Sequence, residues 1–488
     1  EAEKQNIDTI SENNWQVAIN KLQVQNTALK YDDNSIKPAA AGMDYNHLQI
    51  NGLLIDVDDI KYSDKSISAA INNIAFNEKS GFQLKYLSAD AEYDDKHAAL
   101  HNFKLATNYT QIDNSFEVSY PSIEAVSKDI GLLGVNANIR NFKLGVNDVL
   151  YFQPQLANNP DFKKVINQTI VIKGSVKGKV NDLAIRDFLL TAGTQTQLSL
   201  NANIKGLPKV EQSVFDIDLK QFATTKTDID YLVPAHYLPT TVRIPDRLSL
   251  NGAFEGSMEI FKTNLQLKST SGNAALNAKM LKGKVKGAES YDAVVVLDRL
   301  NVGQLLKNEA TFGSISLEAS LIGSGTTINT ADAELKGIVK SAGIKGYEYR
   351  NLGLKATFRK KELQAQAQIA DPNVSFNFNG LVNLQQKYPS IKLNGIIDSI
   401  NLTALNLSDE NIKFRGEINA DLPTADVDYL NGHVDLFNFL VVKEKQTFPI
   451  DSIQLVGKST ADSNTIHLKS PVINATLNGK YQLSKPRT

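Results

Sequence analysis

The stretch from Leu363 to Gly380, LQAQAQIADPNVSFNFNG, limits the folds open to this chain more than any other. Leu363, Ala365, Ala367 and Ile369 alternate with Gln364, Gln366 and Gln368. After Asp371-Pro372-Asn373, Val374, Phe376 and Phe378 alternate with Ser375, Asn377 and Asn379. Strand side chains point to opposite faces with period two, so each run has one apolar and one polar face. The Asp-Pro-Asn triplet is turn chemistry, because proline fixes φ and cannot donate to a ladder. The stretch reads as an antiparallel hairpin, dry on one side and wet on the other.

The same one-sided unit recurs along the chain. Leu198, Leu200, Ala202 and Ile204 oppose Ser199, Asn201 and Asn203. Ile315, Leu317, Ala319 and Leu321 oppose Ser316, Glu318 and Ser320, and Ile473, Ala475 and Leu477 oppose Asn474 and Thr476. Near the start, Trp15, Val17 and Ile19 alternate, and Leu22 and Val24 do so in shifted phase, which predicts a bulge or turn near Lys21. Short helices are predicted over Ser122 to Lys128, within Asn147 to Ile166 (broken at Pro154 and Pro160), over Thr227 to Tyr237 and over Asn301 to Asn308. Thr403 to Leu407 reads as a further turn or helix. No linker rich in Pro, Gly or charge divides the chain, and no fixed repeat of leucine-rich or β-helix type is present. The expectation is one continuous all-β segment over 1–488, with sub-repeats near 1–145, 146–300 and 301–488.

Composition narrows the function classes. The 488 residues are 42% hydrophobic and 22% charged, a folded rather than a disordered balance. Lys and Arg number 52 against 53 Asp and Glu, which gives no electrostatic case for nucleic acid. The absence of cysteine excludes a disulfide framework, a thiol nucleophile and a Cys-ligated zinc site. The longest apolar runs, such as Ala293 to Leu297, fall well short of the roughly 20 residues of a spanning helix. The chain opens EAEKQNID, without an initiator Met or a basic signal region, and closes SKPRT soon after a strand-like run. Both ends read as cut from a longer protein.

Sites with possible chemistry have bland readings. His97 and His101 in HAALH have metal-ligand spacing for a helix, but no third ligand is evident and they read as solvated loop residues. His47, His236, His433 and His467 are scattered. Asp56, Asp58 and Asp59 lack the glycine and terminal Glu of a calcium loop and read as a solvated strand end. Gly174 to Lys179 and Gly283 to Gly287 are near misses for phosphate loops, so their glycines mark tight turns or close backbone approach. No G-x-S-x-G elbow occurs and no carboxylate pair stands out. The chain reads as a non-enzyme with no metal and no cofactor. Asp8-Thr9-Ile10, Asp398-Ser399-Ile400 and Asp451-Ser452-Ile453 resemble the O-glycosylation triplet of exported Bacteroidota proteins.

From Leu297 to Gly325, LDRLNVGQLLKNEATFGSISLEASLIGSG, a strand ends in Asp-Arg-Leu-Asn-Val-Gly, a Leu-Leu turn follows, and a Gly-led hairpin closes on Gly-Ser-Gly. This resembles the AsmA-like proteins, specifically the TamB (translocation and assembly module) proteins of the Bacteroidota type. Ile396 to Val442 looks like the next repeat of that family. Val149 to Gly256, with LYFQPQL, IVIKGSVKGKVNDLAI and LPTTVRIPDRLSLNG, resembles it too. The likeness is best from about 145 to 445 and lacks the family's N-terminal anchor and C-terminal conserved domain. It implies a long antiparallel sheet curled into an open apolar groove, the β-taco. It implies a periplasmic place, anchored at the inner membrane in the full-length protein, and passage of phospholipid between inner and outer membranes. An alternative role is a scaffold for outer-membrane barrel insertion beside an Omp85-type barrel assembly factor. No cofactor or nucleic-acid partner is implied, but bound phospholipid or detergent is.

One-sided strands need a cover. Periodicity alone favours a second sheet, as in a sandwich, whereas the resemblance favours lipid. Exposing an acyl chain of about 16 methylenes to water, at roughly 0.8 kcal/mol each, costs on the order of 13 kcal/mol, which an apolar gutter would relieve. The candidate lining residues are Leu198, Leu200, Ile204, Ile315, Leu317, Leu321, Leu363, Ile369, Val374, Phe376, Phe378, Ile473 and Leu477. Each alone reads equally well as plain sheet core.

Overall fold

In the computed structural model, residues 15–285 and 287–481 are described. Strand makes up 64% and helix 9%, and the strands belong to one antiparallel sheet of 27 strands that does not close on itself. The chain separates into two compact units, Glu1–Leu238 with Ser249–Met258, and Pro239–Leu248 with Glu259–Thr488.

The first unit contains β1 (Val17–Asp32), β2 (His47–Tyr62), β3 (Ser66–Glu78), β4 (Gln83–Leu84), β5 (Tyr86–Asp94) and β6 (His97–Ala106). It continues with β7 (Gln111–Ser119), β8 (Gly134–Gly145), β9 (Thr169–Lys179), β10 (Asp182–Ala192), β11 (Thr196–Lys205) and β12 (Val214–Thr225). Each strand pairs antiparallel with its chain neighbours, β4 and β5 sharing β3. β13 (Arg247–Gly256) comes next in the chain.

The second unit contains β14 (Phe261–Ser269), β15 (Gly272–Leu281), β16 (Ser290–Asn301), β17 (Phe312–Ser324), β18 (Asp332–Ile344), β19 (Tyr347–Arg359) and β20 (Glu362–Asp371). β21 (Val374–Asn383), β22 (Ser390–Asn401), β23 (Ile412–Asp426), β24 (Tyr429–Lys443), β25 (Gln446–Ser459), β26 (Asn464–Lys469) and β27 (Asn474–Gly479) complete it, again paired neighbour to neighbour. The hairpin expected from Leu363 to Gly380 is β20–β21. Its turn is held by Asp371, whose carboxylate accepts the Asn373 N–H at 2.9 Å and the Tyr347 hydroxyl.

Short helices fall where proline and capping residues end the strand pattern. They are α1 (Ile123–Lys128), α2 (Val149–Phe152), α3 (Pro160–Val165), α4 (Lys226–Leu232) and α5 (Val302–Leu305). A shared local device appears at several strand ends. Thr225 caps α4 by accepting the Asp228 N–H at 3.1 Å, and Asn301 caps α5 by accepting the Gln304 N–H at 2.9 Å. Asn401, at the end of β22, accepts the Ala404 N–H at 3.2 Å. At the first two, the third residue then reaches back to an earlier turn. Asp228 accepts from Thr194 N (3.0 Å), Gln195 N (2.7 Å) and the hydroxyls of Thr194 and Thr196 (both 2.9 Å), while Gln304 accepts from the Ser271 hydroxyl at 3.0 Å. Burial alone would raise the Asp228 carboxyl, but these donors outweigh it and bring it down to about 2.

Several local expectations are corrected. β1 runs through Lys21 in unbroken register with β2, and the irregularity lies at Asn26, whose φ is 46°. The phase change arises because β1 carries apolar side chains on both faces, with Val17, Ile19 and Leu22 all exposed. His97 and His101 lie in strand β6 rather than a loop, and His97 Nε2 is 3.3 Å from Glu117 Oε1. Asp56, Asp58 and Asp59 lie inside β2 rather than at its end, where Lys21 Nζ stands 3.7 Å from both Asp56 and Asp58. The segments EAEKQNID and SKPRT and the triplet Asp8-Thr9-Ile10 lie outside the described residues.

Candidate functional site

Residues directly opposite each other in an antiparallel pair share a face, so the register decides whether one-sided strands add up to one surface. In the first unit they do. Ala69, Ala91, Leu100, Phe116, Ala137, Val176, Ile185, Ala202 and Ile217 are register partners in unbroken succession from β3 to β12. Beside them runs Ile67, Tyr93, Ala98, Val118, Val135, Gly178, Leu183, Ile204 and Phe215. One residue along, the row Ser68, Glu92, Ala99, Glu117, Asn136, Lys177, Ala184, Asn203 and Asp216 belongs to the other, polar face.

The second unit repeats the arrangement over twelve strands, β14 to β25. Leu265, Leu276, Val295, Ala319, Gly337, Leu354, Ala367, Phe378, Gly395, Ile418, Leu436 and Ile453 succeed one another as register partners. Leu267, Ala274, Leu297, Leu317, Val339, Leu352, Ile369, Phe376 and Ile397 form the adjacent row. Bulges do not break these rows. In β10, for example, Asp187 takes φ 50° between Ile185 and Phe188 and returns Phe188 to the apolar side. The glycines of β9 serve close approach: a Cβ on Gly174 would meet the Phe188 backbone at 2.9 Å, and one on Gly178 the Asp182 carbonyl at 2.2 Å.

Most of the residues in these rows are half-buried rather than fully covered by protein. Half of the buried apolar residues among those described are alanines, with Val57, Phe82, Leu84, Val146, Ile369, Val374, Ile397 and Leu405 as the larger members. The chain exposes 30522 Å². A compact protein of 53.6 kDa exposes about 18,000 Å², and two compact bodies of half that mass about 22,000 Å². A cavity of about 490 Å³ opens on the apolar face of the first unit, lined by Ile67, Tyr93, Leu100, Phe116 and Val118 among others.

The expected lining residues divide into three groups. Leu198, Leu200, Ile204, Ile315, Leu317, Leu363, Phe376 and Phe378 are half-buried on the apolar rows or their flanks, and Leu321 is exposed there. Ile369 and Val374 are instead buried in a small core with Leu405, so protein already covers them. Ile473 precedes β27, and both it and Leu477 are exposed.

The polar face carries exposed ion pairs such as Arg140–Asp113 (2.5 Å) and Lys392–Asp421 (3.1 Å), which contribute little to stability. Among the described residues no group of three or more His, Asp or Glu is placed to hold a metal ion. Among the described residues no helix is long and apolar enough to cross a membrane.

These features define a class: a non-closed antiparallel sheet with a continuous row of apolar register partners in each unit. No protein-family model, curated protein or solved structure matches the chain.

Proposed function

We propose that this chain is a segment of a lipid conduit, passing phospholipid acyl chains along its apolar face, without catalysis, between the inner and outer membranes of a cell envelope. The support is the row of register partners from Leu265 to Ile453, apolar or glycine at all twelve positions, with all but the buried Gly395 only half-buried. At a strand spacing of about 4.8 Å, the eleven steps extend over roughly 50 Å before twist shortens them. An exposed apolar area of that length far exceeds the few hundred Å² a monomer normally leaves bare, which is the physical case for an amphiphile as its cover. Headgroups stay in water while the chains slide, so no side chain needs to do chemistry. The periplasm is the compartment that fits this work.

The test is native mass spectrometry with lipid extraction on the purified chain. Several bound phospholipids are expected, and a chain that carries none overturns the reading.

A second reading, a scaffold for outer-membrane barrel insertion beside an Omp85-type partner, has one observation in its favour. Among the described residues β27 pairs only with β26 and is exposed from Asn474 to Asn478, leaving an edge open to a client strand. Crosslinks from β27 to client strands, with none from the apolar rows to lipid, would favour it.

A further inference from the structure

One residue on the apolar face of the first unit is polar and has no partner. Asn114 lies on β7 between Ile112 and Phe116, on the side that Phe116 and Val118 share. Its register partners are Phe103 on β6 and Ile139 on β8. It is 0% exposed, and neither its Nδ2 nor its Oδ1 has a hydrogen-bond partner. A buried amide with two unmade bonds bears the full penalty of desolvation, and an apolar side chain of similar size would fit this face better. Both flanking ladders are bulged at this level, β6 between Leu100 and Phe103 and β8 opposite Asp113 and Asn114. Bulges re-aim side chains next to binding sites.

The surroundings suggest what would satisfy the amide. Phe116 lines the 490 Å³ apolar cavity, and its ring packs on that of Phe103 at 6.2 Å. Phe103 is the register partner of Asn114 and Phe116 is the next residue along on its face, so this ring pair adjoins the amide and, through Phe116, the cavity. The ligand the site calls for is apolar over most of its length and carries a hydrogen-bonding group at one point. A diacyl glycerolipid has that form, with its ester carbonyls joined to its chains.

We propose that Asn114 is a polar foothold for the ester linkage of a diacyl glycerolipid whose acyl chain fills this cavity, reached when the Phe103–Phe116 ring pair parts. The amide donates from Nδ2 to an ester carbonyl, and the chain lies over Leu100 and Val118. This rests on the conduit reading and names one resting place along it.

The test compares dioleoyl phosphatidylglycerol with its dialkyl-ether analogue, which keeps the chains and headgroup but lacks the carbonyls. Affinities are measured by fluorescence titration on the whole chain, as wild type, Asn114→Leu and Asn114→Ala. Wild type should prefer the diester by about three- to tenfold, the worth of one hydrogen bond. Asn114→Leu should abolish that preference while raising the melting temperature by about 2–4 °C, because it removes an unsatisfied polar group. Asn114→Ala adds no bulk and should abolish the preference as well, whatever its stability. If the preference survives in both variants, or wild type binds ester and ether lipids equally, the foothold is overturned and the conduit stands. If wild type binds neither lipid, the conduit reading fails and the foothold with it.

Discussion

Leu317→Asp places a carboxylate on the apolar row of the second unit, with Leu297 opposite on one side and Val339 on the other. Folding should survive, because Leu317 is only half-buried and the strand pairs through its backbone on both sides. The effect falls on anything that slides across. An ionised carboxylate keeps its water, and neighbouring strands are about 4.8 Å apart, so a wet zone one strand wide touches about four methylenes of a passing chain. At roughly 0.8 kcal/mol each, the added barrier is about 3 kcal/mol, a slowing on the order of a hundredfold. The control is Ser320→Asp on the same strand. Ser320 is on the polar face with Lys336 opposite it, so the added charge meets water and a cation. Transfer of a fluorescent phospholipid between donor and acceptor vesicles, with the chain supplied as the shuttle, reads both variants. Circular dichroism confirms that each is folded. Equal transfer by Leu317→Asp and wild type, or equal loss in Ser320→Asp, would refute the assignment of lipid to this face.

Two further outcomes follow from single contacts. A Cβ on Gly395 would stand 1.9 Å from Phe378 Cδ1, so Gly395→Ala should cost about 1–3 kcal/mol by urea unfolding, and Phe378→Leu in the same chain should recover most of it; a neutral Gly395→Ala would mean that β21 and β22 pair in another register. The Asp228 carboxyl, held at about 2 against an ordinary 3.8, contributes stability that is present above pH 5 and lost as pH falls toward 1. The full shift corresponds to about 2.4 kcal/mol, of which about 1–2 should remain after solvent screening at the end of the sheet. Asp228→Asn should lose that amount at pH 7 and flatten the acid limb of the stability curve, and an unchanged acid limb would show that the carboxylate is not so held.

The strands and their sidedness were legible because alternation is written into the residues. The hairpin at Asp371-Pro372-Asn373 came through in place, and so did the short helices, which proline and capping residues announce. Which alternating residues are core was not legible. Ile369 and Val374 are buried because Leu405, from the turn after β22, packs on them, and no local pattern reports that. The bulges were also hidden. Those at Asn26, Asn102 and Asp187 are at positive φ, and such residues are common throughout the chain. Two signals were present but passed over. Thr225-x-x-Asp228 and Asn301-x-x-Gln304 are capping phrases at strand ends. Asn114 stands in the apolar phase of Ile112, Phe116 and Val118, where alternation alone marks it as the odd residue.

The neighbour-to-neighbour pairing has a consequence for how such a chain changes length. Four strand steps separate the ends of β8 and β12, each followed by a short helical segment, in the first unit, and six separate the Asn301 end of β16 from the Asn401 end of β22 in the second. Both counts are even. Inserting a single strand would send every later capping segment to the opposite end of the sheet, whereas inserting a hairpin leaves all of them in place. The hairpin is thus the unit of growth, adding about 10 Å of reach each time. A chain built this way can be matched to a wider or narrower gap by duplication or loss of one hairpin, with no other residue altered.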